Sequence, residues 1–437
     1  MGGKAALFLV IGFSIIFIVI GRNISNISVR AVDNAMVYFH NSNAHSIALA
    51  GANIAASKVF FDNDWNDGYQ NMAFAGGHYT VTVEEIDPVR DIIKISSVGT
   101  FGEGDLQRIH TVEIKLQPSS FSRFSYFSNK EKIGSSTIWW TSKDTVWGPF
   151  HTNDKISISG DPVFQGKASS YLGIYEARGS DPEFNGGYSQ ASEELPIPED
   201  GVDIVGDAAQ DDGLYFNGQD TVYLEFLNDS LKFKYGANQP DTTLYLPDAS
   251  PNGTIFANAA IVRLKGTVDG MYTIGASEET VTTTTGYWKW NRRRRRYVWV
   301  ERTTTATQGG KVFLDDDIVY RDSPLDGASD DVLGIVAENE ILITDNAANS
   351  SDINIHASMY SQTKGFGSEN YSTRPASGYI NILGGITQES RMAVGTFSGS
   401  TTRSGFSKRY RYDDRLMVMS PPSFPGTGNF EVVSWFE

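Results

Sequence analysis

Three clusters in this 437-residue sequence carry residue types suited to chemistry. Asp315-Asp316-Asp317 offers paired carboxylates, as glycoside hydrolysis requires. That reaction needs two carboxyls at a set separation beside an open groove. Neighbours along a strand point to opposite faces, so Asp315 and Asp317 are the two that could cooperate. A turn between two strands is the plainer reading of the triplet. Asp62-Asn63-Asp64-Trp65-Asn66-Asp67-Gly68 looks like a calcium loop. Its glycine falls one place late, and Ala73 stands where a bidentate Glu belongs, so a helix-ending turn is expected. The third cluster lies in Thr280 to Thr305, where Arg292, Arg293, Arg294, Arg295 and Arg296 run consecutively between Trp288, Trp290, Tyr297 and Trp299.

The arginine cluster has two readings. Arg bonds phosphate and carboxylate through two parallel N–H groups, and aromatics beside arginines suit base stacking. An arm for an anionic partner follows: a phosphate-bearing surface polymer, lipopolysaccharide, nucleic acid or the acidic face of a neighbouring subunit. Alternatively the run is a solvated tip whose aromatics pack on one another. The formal net charge of −16 argues against nucleic acid contact anywhere else on the chain. There is no Cys, which excludes disulfides, thiol catalysis and Cys-based metal sites. Of the six His, only His40 and His45 are near each other, and five residues apart they do not share a helical face. Neither a Gly-rich phosphate loop nor a Gly-x-Ser-x-Gly elbow occurs. The expectation is therefore no enzyme, no metal and no small-molecule cofactor.

The elements that position these residues follow from periodicity. Around the arginines the order Thr, aromatic, basic, aromatic, Thr is mirrored, which predicts a two-stranded hairpin inserted at 280–305 with the arginines at its tip. Trp288, Trp290, Tyr297 and Trp299 then pair across the strands. At the other extreme, Ala5 to Gly21 carries no charge and spans roughly 25 Å as a helix, at the short edge of a bilayer crossing. A secretory signal would look similar, but no small-x-small cleavage site follows at the usual distance. Apolar residues continue at Ile20, Ile24, Ile27, Ala31, Ala35, Met36 and Phe39, then at Ile47, Ala50, Ile54 and Val59. Steps of three and four predict one helix over 4–61, apolar all round at first and amphipathic later. Alternation at Tyr79, Val81, Val83, Ile93, Ile95, Ile109, Val112, Ile114 and Leu116 predicts a small antiparallel sheet over 76–118.

From Ser119 onward no helical periodicity persists, and a strand–turn–strand phrase recurs. Copies are Phe150 to Ile158, Ile255 to Val262 and Ile335 to Ile343. Looser versions are Tyr215 to Val222 and Phe313 to Val319, with rung-like phrases at Ile353 to Ile355 and Tyr379 to Ile382. Such units build a β-solenoid; the irregular period leaves a sandwich open. The predicted class is α+β, mainly β. It comprises 1–62 (leader, transmembrane and amphipathic helix), 76–118 (small antiparallel sheet) and 119–437 (a β-solenoid or β-helix-like ectodomain with the protruding hairpin).

The short leader Met1-Gly2-Gly3, the apolar-to-amphipathic helix and the small sheet, in that order, resemble type IV pilins and type II secretion pseudopilins. The strand, turn, Ile95-Ser96-Ser97-Val98-Gly99, turn, strand pattern is similar to the sheet of PilX-type minor pilins. The resemblance implies cleavage by a prepilin peptidase after Gly3, exposing Lys4. It departs from the family at Phe8, where a Glu is usual, and at Lys4, where Phe is usual. The missing carboxylate suits a filament tip or starting complex, or an uncleaved anchor. The outer part resembles an uncharacterised bacterial family of pilin-like surface proteins known as a domain of unknown function. That likeness rests on Trp147 to Asn153, Gly160 to Phe164, Gly384-Gly385-Ile386, Val394 to Phe397 and Tyr410 to Asp413.

Together these features imply a minor or tip subunit of a type IV pilus or secretion-like filament. The expected location is the bacterial inner membrane, through the single helix, with a display or adhesion ectodomain in the periplasm or outside the cell. The expected partners are other pilin-like subunits along the helix, the membrane, and an anionic polymer at the hairpin. The alternative is an envelope-tethered β-helix protein that binds or degrades polysaccharide.

Overall fold

A computed structural model describes residues 2–62, 65–87, 92–142, 144–398 and 401–437. The chain is mainly β with a long amino-terminal helix, and it splits into two compact units. The first joins Met1–Pro118 to Phe430–Glu437; the second is Ser119–Asn429.

Helix α1 runs unbroken over Gly2–Phe61, 60 residues, or about 90 Å at 1.5 Å per residue. No Pro interrupts it, and Asn43, Ser46 and Asn53 bond back to the carbonyls of Phe39, Ser42 and Leu49 instead of breaking the ladder. Its carboxyl-terminal third lies on a sheet of β1 (Tyr69–Phe74), β2 (Gly77–Asp87), β3 (Ile92–Phe101) and β4 (Arg108–Ser120), antiparallel in sequence order. The buried helix face is Ala44, Ile47, Ala48, Ala52, Ala55 and Val59, against Tyr79, Val81, Ile95, Val112, Ile114 and Leu116. This corrects the expected stripe: Ile54 is exposed and alanines make the seam. Small side chains let the helix approach closely. A Cβ on Gly99 of β3 would fall 2.3 Å from the Ala44 carbonyl oxygen. Ile109 of the expected alternation is exposed.

Two boundaries also differ from the sequence reading. The sheet begins at Tyr69, ahead of 76, because the turn at Ala75 and Gly76 folds β1 onto β2. The outer unit does not run to residue 437. The final strand, Gly426–Phe436, lies beside β4, with Phe430 on the small sheet's core. An open edge of unpaired backbone groups favours such a strand, and pairing across three hundred residues leaves no local mark.

The second unit is built from rows of parallel strands. In one row Ser189, Ser169, His151, Phe127, Thr387, Tyr360, Val336, Gly275, Phe256 and Tyr215 are successive partners. One residue back, Ala168, Phe150, Tyr126, Ile386, Met359, Ile335, Ile274 and Ile255 fill the interior. A second row places Phe226, Gly266, Ile318, Ile355, Ile382, Tyr410, Val146, Phe164 and Phe184 side by side. The chain enters in the middle: Tyr126–Lys130 pairs with both Phe150–Thr152 and Ala376–Ser390. It coils one way to Tyr188–Gln190, restarts at the opposite end with Leu214–Phe216, and coils back to meet its own beginning.

The crossing between the two ends contains α2 (Gly201–Asp212), a helix where none was expected. Its Val202, Val205 and Ala209, spaced three and four apart, cover the outward Phe127, Tyr360, Val336 and Phe256. Gly275 leaves room for this: a Cβ there would sit 2.4 Å from the Phe256 ring and 3.0 Å from Val205. Twelve residues in a polar sequence carry too short a period to stand out beside the strand phrases.

Candidate functional site

The aromatic and basic residues singled out from the sequence lie on one antiparallel hairpin, Glu278–Asn291 with Arg296–Gly309. It is longer than 280–305, because its base closes at Glu278 opposite Gly309. Fourteen residues per strand extend about 45 Å. Trp288 faces Trp299 and Trp290 faces Tyr297, with ring centroids 5.3 and 5.1 Å apart, edge to face. Arg292–Arg295 form the turn, where the Asn291 side chain accepts the amides of Arg293 and Arg294 and Arg295 takes φ +46°. Among the described residues none of the five arginine side chains is hydrogen-bonded or ion-paired. The tip is an open cluster of cations above two edge-to-face aromatic pairs.

Asp315 and Asp317 are not in a turn, and each is held by its own partners. Both lie in the strand Lys311–Tyr320, at an irregularity where Leu314 and Ile318 face Leu264 and Gly266. The extra residues bulge and turn each carboxylate to its own partners. Asp315 accepts from Arg263 Nε and Nη2 at 2.9 and 2.6 Å and from Thr344 at 2.7 Å. Asp317 accepts from the amide and side chain of Asn354 at 2.8 and 2.9 Å. Carboxylates so committed hold neighbouring strands and loops together. In the calcium-like stretch Asp62 accepts from Lys58 Nζ, while Asn63 and Asp64 lie outside the described residues. Gly3 and Lys4 fall in the first turns of α1, where the backbone alone is described. Among the described residues no group of three or more His, Cys, Asp or Glu could hold a metal ion.

A cavity of about 420 Å³ opens in the second unit where the beginning and end of its chain meet. Sequence reasoning did not find it. Behind its floor, buried Glu131 accepts from Tyr126 (2.8 Å), Ser128 (2.5 Å), Trp140 Nε1 (3.0 Å) and Arg391 Nη1 (2.9 Å). The Arg391 guanidinium lies 4.0 Å over the Trp140 ring. Lys408 Nζ donates to Asp144 Oδ1 at 2.8 Å, and the Thr141 amide and hydroxyl donate to Oδ2 at 2.9 and 3.2 Å. Burial raises the Asp144 pKa, but Lys408 and Arg391 outweigh it and hold the carboxyl below its ordinary value. Burial likewise pushes the Lys408 ammonium down against the pull of Asp144. Burial, with Glu131 beside it, pushes the Tyr126 phenol well up. These partners are some 260 residues apart, so no spacing motif could signal them. The Trp139-Trp140 pair was the one local hint.

A family model for "Domain of unknown function (DUF4900)" matches residues 93–171. It spans β3, β4 and the first strands of the second unit. Trp147 to Asn153 and Gly160 to Phe164 fall inside it. No curated protein matches the chain. Among solved structures the chain is similar to the competence-associated pilin ComZ from Thermus thermophilus. The identity is 12%, covering 91% of this chain and 97% of that one, at a TM-score of 0.35. A likeness that distant transfers no role. Within α1 lies the one stretch among the described residues that is long and apolar enough to cross a membrane, and none of it is buried in the protein.

Proposed function

We propose that the chain is a membrane-anchored, pilin-like surface protein, not an enzyme, and a minor or tip subunit of a type IV pilus or secretion-like filament. One observation carries the reading. A single helix of 60 residues leaves Leu7 to Phe39 almost entirely exposed, although Ile24, Ile27, Val29, Val32 and Met36 lie beyond the length a bilayer needs. Apolar surface past the membrane calls for lateral neighbours, and copies or homologues of the same helix supply them. Cleavage between Gly3 and Lys4 would release the helix for that packing, and Phe8 in place of a carboxylate favours the tip. The parallel rows of the second unit support a β-solenoid that serves for display and adhesion. The exposed arginine tip favours an anionic polymer or the acidic surface of another subunit.

Because the chain has no Cys, Ile27→Cys gives a clean test. In membranes of the producing cell, a thiol-directed photo-cross-linker attached to it should capture a second pilin-like subunit, while the wild-type chain fractionates with membranes and needs detergent for release. A soluble wild-type chain, or a cysteine that forms no cross-link in any filament preparation, sinks the reading. Intact mass of the mature amino terminus decides the cleavage at Gly3.

A further inference from the structure

The cavity at the meeting point of the two arms is amphipathic in a specific way. Its mouth carries three partly exposed rings, Trp139, Tyr379 and Phe397. Tyr379 is held by the Arg409 guanidinium 3.5 Å from its ring centre. Arg391, Lys408 and Asp144, the last bonded to Lys408, also line the wall. Arg391 uses only Nη1 within the described protein, and Lys408 gives one of its three protons to Asp144. Arg391 Nε and Nη2 and two of the Lys408 protons are therefore left without a partner among the described residues. Both cations are pre-paid in geometry: the guanidinium is fixed on Trp140 and Glu131, so little ordering remains on binding. The volume falls within the ordinary range of small-molecule sites, ~300–1,000 Å³.

We propose that this cavity binds a sugar residue bearing a carboxylate, of the uronic-acid class, as presented by an acidic surface polysaccharide. The carboxylate meets the spare donors of Arg391 and Lys408, a charge-assisted contact in a poorly solvated site. The flat C–H face of the ring lies against the aromatic mouth. Asp144 selects between anions. Acetate brings no hydroxyl to it, and phosphate no apolar ring face to the aromatic mouth, whereas a uronic acid offers Asp144 a neutral sugar hydroxyl beside its own carboxylate. The site is separate from the arginine tip and does not rest on the filament reading.

The test is calorimetric titration of the full-length protein in detergent micelles with D-glucuronate, D-glucose, acetate and inorganic phosphate. Glucuronate should bind at least tenfold more tightly than each of the other three. Trp139→Ala and Tyr379→Ala, at the exposed mouth, should weaken glucuronate about tenfold without moving the unfolding midpoint. Replacing Arg292 to Arg295 by Ser should leave that binding intact. Equal affinity for glucose removes the carboxylate from the proposal, and equal affinity for acetate or phosphate removes the sugar; either overturns it. So does a failure of glucuronate to bind, an affinity untouched by both mouth variants, or a loss of binding in the tip variant, which would move the site to the hairpin.

Discussion

Arginine appears in this protein in two opposite settings. At the hairpin tip five guanidinium groups are crowded by sequence alone, and none has a partner among the described residues. In the second unit Arg391 stands alone in the sequence, yet it lies buried on Trp140 and bonded to Glu131. The contrast shows that a charge run marks where a chain is solvated, whereas an isolated charge between apolar strands marks where the fold brings a counter-charge from far away. Water already stabilises the tip, so its removal costs little; the buried pair is cut off from water and depends on its protein partners.

The largest effect expected from that contrast is at Arg391. Arg391→Ala leaves Glu131 buried without its cation and should lower the unfolding free energy by about 3–5 kcal/mol. Arg391→Met with Glu131→Gln should recover most of the loss. A loss below about 1 kcal/mol in chemical denaturation would break the contrast, because surface pairs are worth that much.

Acidification sharpens the same comparison. Burial lowers the pKa of His151 and His356 in the second unit. The unfolded chain then binds protons before the folded one, so stability falls as pH drops from about 6.5, the ordinary His value, through the lower folded values. Asp144 adds a second window. Its stabilisation is present above the ordinary carboxylate value, near 3.8, and is lost as pH falls through its lower folded value. Unfolding midpoints measured from pH 7.5 to 3 should decline in these two windows. A midpoint flat from pH 7 to 5 would contradict buried neutral imidazoles.

Smaller effects belong to the hairpin. Trp299→Ala removes the pair with Trp288 and should cost about 0.5–1.5 kcal/mol, confined to hydrogen-exchange protection of the two hairpin strands. Replacing Arg292 to Arg295 by Ser should change global stability by no more than about 0.5 kcal/mol. The same variant should lose retention on a sulfated-polymer column at low salt. A drop above 1 kcal/mol would mean that the tip is docked rather than open.

Reading the sequence succeeded where period and chemistry were local. The helix over 4–61 was legible because every third or fourth residue is apolar and no Pro intervenes. The hairpin was legible because its two halves mirror each other about Asn291 to Arg296. The phrases at Phe150, Ile255 and Ile335 were legible because each carries its own turn. Apolar steps of three and four gave the stripe of α1 as Ile47, Ala50, Ile54 and Val59; Ile47 and Val59 are buried, whereas close approach to β3 selected Ala48 and Ala52 in place of Ala50 and Ile54. The acidic triplet looked like a turn because a bulge and a turn concentrate the same polar residues.

By itself the sequence determined the rod, the strands and the arginine tip, since hydrophobic period, turn chemistry and charge repulsion act between residues close in the chain. Tertiary structure alone decided that Phe430 returns to the small sheet and that Tyr126 opens the second unit in the middle of its rows. It also decided that Glu131 meets Arg391 and Asp144 meets Lys408. Those partners are chosen by which apolar rungs stack and which charges must then be neutralised away from water, and a linear pattern holds no record of either.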